Sequence, residues 1–126
     1  MPSYLCYITL MTKPLIIAFG SRVKGRATDK SDHDFGVLNE KPLSLSDRVD
    51  IGEFIAKKLD INEDKIDLVD LRSASPLLKF EVARDGKLID GDYVSFIRFK
   101  VRAFKEYVDT AKFRRLREKV MSNKYA

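Results

Sequence analysis

GSRVKGRATDKSDHD, residues 20–34, decides how this chain is read: a Gly-Ser pair, ten intervening residues, then two aspartates spaced i, i+2. The apolar run LIIAF at 15–19 leads straight into Gly20. There the lack of a Cβ lets the backbone reverse and approach a ligand closely. Ser21 adds a hydroxyl and a backbone N–H beside that turn. Asp32 and Asp34 fall on one side of a strand expected over residues 32–38, because strand side chains alternate, so both carboxylates can reach one divalent cation. The stretch thus joins a phosphate cradle to a metal site.

Outward from this stretch, 126 residues with 44% hydrophobic content suffice for one core and not for two. A single domain over residues 1–126 is expected, with a core at about 14–91 and a basic C-terminal helix at about 92–121. Cys6 is the only cysteine, so no internal disulfide forms, and His33 is the only histidine, so no Cys/His zinc set exists. A reducing, cytoplasmic setting is the expectation. The apolar run 4–11 lacks a basic leader and a small-residue cleavage site and is too short to span a bilayer. It reads as core or an edge strand, with Met11 as an alternative start. Charge is uneven: residues 98–126 carry ten Lys and Arg against three acids, or +7, while residues 1–97 carry −2. Only the tail argues for an anionic partner.

Alternating strand and helix signals predict a mixed α/β domain, a small mixed sheet flanked by helices. Residues 22–27 suit one or two helical turns and 28–31 a polar loop. Ser44 or Ser46 caps a helix with apolar positions Ile51, Phe54, Ile55 and Leu59, followed by a loop at 62–64. A third strand is expected at 65–71, and Ser75-Pro76 with Gly86 bounds a short helix over 76–85. Residues 87–89 add an edge strand. From Asp92, the 4, 3, 4, 3 spacing of Ile97, Val101, Phe104, Val108 and Ala111 predicts one long helix reaching about Met121, with that stripe as its apolar face.

Magnesium takes hard oxygen ligands, usually one or two carboxylates plus substrate phosphates, which Asp32 and Asp34 can complement. In nucleotidyl transfer a two-metal clamp, roughly 3.5 to 4 Å across, stabilises the attacking and leaving oxygens, so a third carboxylate is expected on an adjacent strand. Asp67 and Asp70 are the candidates, and three-residue spacing turns them to opposite faces. Rival readings fail on spacing. A calcium loop starting at Asp29 or Asp32 would need Gly where Asp34 or Val37 stands, and no Gly-Lys-Ser/Thr follows Gly20 to make a P-loop. The Asp-x-Asp of a sugar-nucleotide glycosyltransferase would leave the Gly-Ser turn unexplained.

LIIAFGSRVKGRATDKSDHDFGVL at 15–38 resembles the signature of the minimal nucleotidyltransferases, a branch of the superfamily that includes DNA polymerase beta; Gly20, Ser21, Arg22, Gly25, Ser31, Asp32 and Asp34 occupy the family positions. KIDLVDLRSASPLLKFEVARDGKLID at 65–90 is similar to the segment carrying the third acid, and the resemblance extends over about residues 14–110. It implies a polymerase-beta-like nucleotidyltransferase fold with a long C-terminal helix. It also implies Asp67 as the third catalytic carboxylate, with Asp70 structural. Gly20, Ser21 and Arg22 would bind the triphosphate of ATP, and Asp32, Asp34 and Asp67 would bind two Mg²⁺ ions during catalysis. The resemblance further implies an antitoxin, since these small proteins are typically paired with a HEPN-domain ribonuclease toxin and some transfer AMP from ATP to a tyrosine of that toxin. The alternatives are a non-catalytic antitoxin that binds sterically, or nucleotidyl transfer to a small molecule or RNA.

Plainer roles are expected for the remaining residues. His33 stands where the family has an aliphatic residue and should point away from the metal. Cys6 reads as a small apolar core residue. The basic C-terminal helix reads as a solvated face or a dock for an acidic protein surface ahead of an RNA contact.

Overall fold

A computed structural model describes residues 13–20 and 32–124. Four strands, β1 (Leu15–Phe19), β2 (His33–Leu38), β3 (Ile66–Asp70) and β4 (Lys87–Asp90), form one sheet in the order β3-β2-β1-β4. β1 runs antiparallel to β2 and β4, while β2 and β3 run parallel. The mixed sheet flanked by helices therefore stands as expected, with β4 at one edge. The core or edge strand expected at 4–11, the short helix at 22–27 and the loop at 28–31 lie outside the described residues.

Alternation along the strands sends apolar side chains to both faces, so the core expected as one is divided by the sheet into two clusters. On one face Leu15 and Ile17 pack with Leu71, Val82, Ala83, Phe96, Phe99 and Ala103. On the other, Ile16 and Phe35 pack with Ile55. The second face is covered by α1 (Leu45–Leu59), whose first turn carries a capping box: Ser44 Oγ accepts from Asp47 N, and Asp47 Oδ2 accepts from Ser44 N, both at 3.0 Å. Of the four apolar positions expected to face the sheet, only Ile55 is fully buried. Ile51 packs at its side, while Phe54 and Leu59 are 43% and 36% exposed. The segment expected as loop at 62–64 is instead a 3₁₀ turn, Glu63–Lys65, capped by Asn62.

The first face is covered by α2 (Pro76–Asp85) and α3 (Tyr93–Asp109). Ser75 Oγ accepts from Leu78 N at 3.2 Å, and Pro76 fills the first turn. Gly86 ends α2 with φ −72°, so no left-handed turn requires it. Close approach does: a Cβ there would overlap the Val82 carbonyl oxygen and meet Ile17 Cγ2 at 2.5 Å.

Two expectations for the C-terminal region change. The helix expected to run unbroken to about Met121 is divided at Thr110 into α3 and α4 (Ala111–Lys124). The Thr110 hydroxyl donates to Glu106 O at 2.9 Å and approaches Tyr107 O at 3.2 Å, a back-bond that competes with regular helix continuation. The apolar stripe is also not the face that meets the sheet. Phe96, Phe99 and Ala103 do that, whereas Ile97, Val101, Phe104 and Val108 are 39%, 61%, 38% and 68% exposed. Among the described residues no helix is long and apolar enough to cross a membrane.

Candidate active site

β1 ends at Phe19, which lies opposite Asp34 in the antiparallel register. The following residue, Gly20, takes φ +89°, a conformation that a side chain resists. A Cβ on Gly20 would also overlap Asp34 Oδ2, so the bare backbone of the turn sits directly against a carboxylate. Across the parallel pair Asp34 is in register with Asp67. Asp32, two residues before Asp34, is exposed at the mouth of the same strand end. Three elements thus bring Gly20, Asp32, Asp34 and Asp67 to one end of the sheet. Alternation sets Asp34 and Asp67 on the face that carries α2 and α3.

The electrostatics follow from this crowding. Asp34 titrates above the usual carboxylate value, first because burial penalises its charge, then because Asp67 and Asp32 repel it; His33 partly offsets this. Among the described residues no three acidic or imidazole side chains already converge as a metal cage. The donor set still fits a divalent cation. Three carboxylates supply hard oxygens, and their mutual repulsion is the kind that a hard cation relieves. Ser21, Arg22, Gly25 and Ser31 lie outside the described residues, so of the phosphate-cradle residues only Gly20 is located.

The alternative acid is engaged elsewhere. Asp70 Oδ2 accepts from Leu43 N at 3.2 Å and Oδ1 from Arg72 N at 3.0 Å, so it ties two loops together. His33 stacks with Phe35, at 6.4 Å between ring centroids, on the side of the sheet that faces α1.

Two hollows were not anticipated. One of about 300 Å³ borders Asp67 and is lined by Arg48, Gly52, Glu63 and Ile66. Arg48 there donates to Leu68 O at 3.1 Å. The other, about 450 Å³, lies at the far end of the sheet beside Leu38, with Arg72, Arg98 and Arg102 on its wall. Leu38 lies four residue steps beyond Asp34, about 13 Å along the strand, so this larger cavity is remote from the carboxylates. The pairing of Arg98 and Arg102 at i, i+4 was its one sequence signal, since the remaining walls come from separate elements.

The model of the family described as polymerase beta, nucleotidyltransferase matches residues 11–92. The protein adenylyltransferase MntA of Aphanizomenon flos-aquae is 36% identical over 93 residues, covering 65% of this chain and 62% of that protein. The chain thus spans less than two thirds of that relative's length. A chain from the crystal structure of a toxin–antitoxin with AMP-PNP is 30% identical, with a TM-score of 0.66 over 94% of this chain and 97% of that one. A chain from the tri-AMPylated HEPN toxin of Shewanella oneidensis in complex with MNT antitoxin is 31% identical, with a TM-score of 0.59 over 85% and 82%.

Proposed function

This chain belongs to the polymerase beta nucleotidyltransferase family, and from that premise we propose that it is an antitoxin that transfers AMP from ATP to a tyrosine of a HEPN-domain ribonuclease toxin. The observation that carries the reading is the meeting of Gly20, Asp34 and Asp67 at one sheet end, with Asp32 beside them. The adenylyltransferase relative and the AMPylated toxin in a neighbouring complex support AMP as the group transferred and a HEPN toxin as its acceptor, while the tyrosine rests on the family resemblance.

In this reading Gly20 and Ser21 hold the β- and γ-phosphates through backbone N–H groups and the hydroxyl, with Arg22 adding positive charge. Asp32 and Asp34 would hold Mg²⁺, joined by Asp67 for a second ion. The metal, when bound, supplies Lewis-acid stabilisation of charge on the α-phosphate. Asp67 accepts the proton of the attacking tyrosine hydroxyl. The tyrosine oxygen then forms a bond to the α-phosphorus as the bond from that phosphorus to the bridging oxygen breaks, and pyrophosphate departs with the electron pair. Crowding of Asp34 by two acids favours cation binding at that position. We place the reaction in the cytoplasm, where ATP is present and Cys6 stays reduced.

Incubation with α-labelled ATP, Mg²⁺ and the cognate HEPN toxin tests this. Label should appear on the toxin and vanish with Asp32→Ala/Asp34→Ala. Full toxin neutralisation by that variant, with no label from the wild type, would replace transfer by steric inhibition.

A further inference from the structure

α3 carries two apolar faces and the fold uses one of them. Phe96, Phe99 and Ala103 meet the sheet and α2. Val94, Ile97, Val101, Phe104 and Val108 lie roughly 150° around the helix from them, at 100° per residue. Their 3, 4, 3, 4 spacing is that of a coiled-coil seam, and such a seam seeks a second helix. Phe104 is partly engaged, edge-on to Phe80 at 5.4 Å between ring centroids. Val94, Val101 and Val108 are more than half exposed, as are Phe113, Leu116 and Val120, which continue the same kind of spacing on α4. An aligned row of exposed aliphatic side chains over several turns marks an interaction surface.

Charge selects the occupant. The positions flanking the α3 seam are basic, Arg98 and Lys105 on one side and Lys100 on the other. Lys112 and Lys119 flank the α4 seam in the same way. Of α3's two acids, Glu106 is paired with Lys79 at 3.3 Å and Asp109 stands off the seam. Pairing of two copies through this face would set basic flank against basic flank, which is repulsive. A helix with an apolar seam and acidic flanks is favoured on both counts.

We propose that the outer face of α3, centred on Val101 and Val108, is the docking surface for a partner helix whose apolar seam is bordered by Asp and Glu. The proposal deepens the partner reading given above and rests on it, because the partner to be used is the cognate HEPN toxin. It does not depend on nucleotidyl transfer. Titration calorimetry of the full chain with that toxin, without ATP, compares the wild type with Val101→Glu/Val108→Glu and with Arg98→Glu/Lys105→Glu. Circular dichroism checks that both variants fold, as these side chains already face solvent. The Val variant should raise Kd roughly 30-fold or more, the scale of losing a central apolar anchor. The charge variant should raise Kd less and flatten its dependence on NaCl. Equal binding by the wild type and the Val variant overturns this surface while leaving the partner reading intact. No binding of the wild type at micromolar concentration overturns both. Sedimentation velocity adds a further outcome: a dimer of the chain alone that Val101→Glu/Val108→Glu dissociates would assign the face to a second copy and overturn the acidic partner helix.

Discussion

Gly20 is set by two independent constraints, its φ of +89° and the carboxylate oxygen of Asp34 where a Cβ would stand. Gly20→Ala should therefore cost about 1 to 3 kcal/mol in urea unfolding, the range for a strained backbone position, and displace Asp34 enough to abolish label transfer. An Ala variant with wild-type stability and transfer would show that the turn is not held against the carboxylate. Asp34 itself gives a pH signature. Burial, then Asp67 and Asp32, raises its pKa above the ordinary 3.8, so the folded chain binds this proton more readily than the unfolded one. Its stabilising contribution is complete below the unfolded value and is lost as pH rises through the folded one, so at neutral pH the ionised group is a cost. Asp34→Asn should raise Tm at pH 7, lose that advantage as pH falls toward 3.8, and abolish transfer. A lower Tm than wild type at both ends of the range would show that the carboxylate is net stabilising. Strand alternation made it legible that only one of Asp67 and Asp70 could join Asp34; the choice of Asp67 rested on the family resemblance, and the register that sets it beside Asp34 was not legible. A parallel pair joined through α1 takes its register from helix packing, which no local pattern encodes.

Helix ends were the most legible elements because their chemistry is local: Ser75 with Pro76, and Gly86, stand where the spacing placed a boundary, and of the two serines offered for the α1 cap it is Ser44 that takes the role. Ser75→Ala removes one acceptor at the α2 N-terminus and should cost about 1 kcal/mol. Gly86→Ala inserts a methyl group between Val82 and Ile17 and should cost roughly 1 to 3 kcal/mol, more than the cap. Parallel denaturant titrations compare them, and the reverse order would mean that the α2–β1 contact yields easily. The α3–α4 region was misread for a physical reason. Periodicity reports that a helix has an apolar stripe, and α3 has two. The longer and more regular stripe at 97, 101, 104 and 108 dominates the pattern, while the sheet takes the shorter one at 96, 99 and 103. The break at Thr110 escaped the same reading, because Thr is common within helices and its back-bonds to Glu106 and Tyr107 show only in three dimensions.

At the scale of the molecule, charge is separated from chemistry. The carboxylates lie at one end of the sheet, and the cations concentrate on helices whose outer faces leave it. α4 packs chiefly on the end of α3, where Arg114 stacks 3.8 Å from the Tyr107 ring centroid and donates to Tyr107 O at 2.8 Å. This charge asymmetry could be read from the sequence, since it needs only counting. Its separation from the sheet could not, because that depends on where α3 ends. Removal of residues 111–126 takes away six cations and one acid, so the formal net charge of +5 becomes 0. The cores on both sheet faces draw on residues before 104, so the shortened chain should still unfold cooperatively. Loss of the Arg114 contacts, worth about 1 kcal/mol, should shift Tm by no more than about 6 °C. Affinity for the HEPN toxin proposed as partner should fall most at low NaCl and converge toward that of the full chain as salt rises, because screening erases the part carried by the missing cations. Calorimetry at two salt concentrations distinguishes the cases. A salt dependence identical to that of the full chain would make the α4 cations a solvated face, whereas an unfolded product would place α4 within the cooperative core.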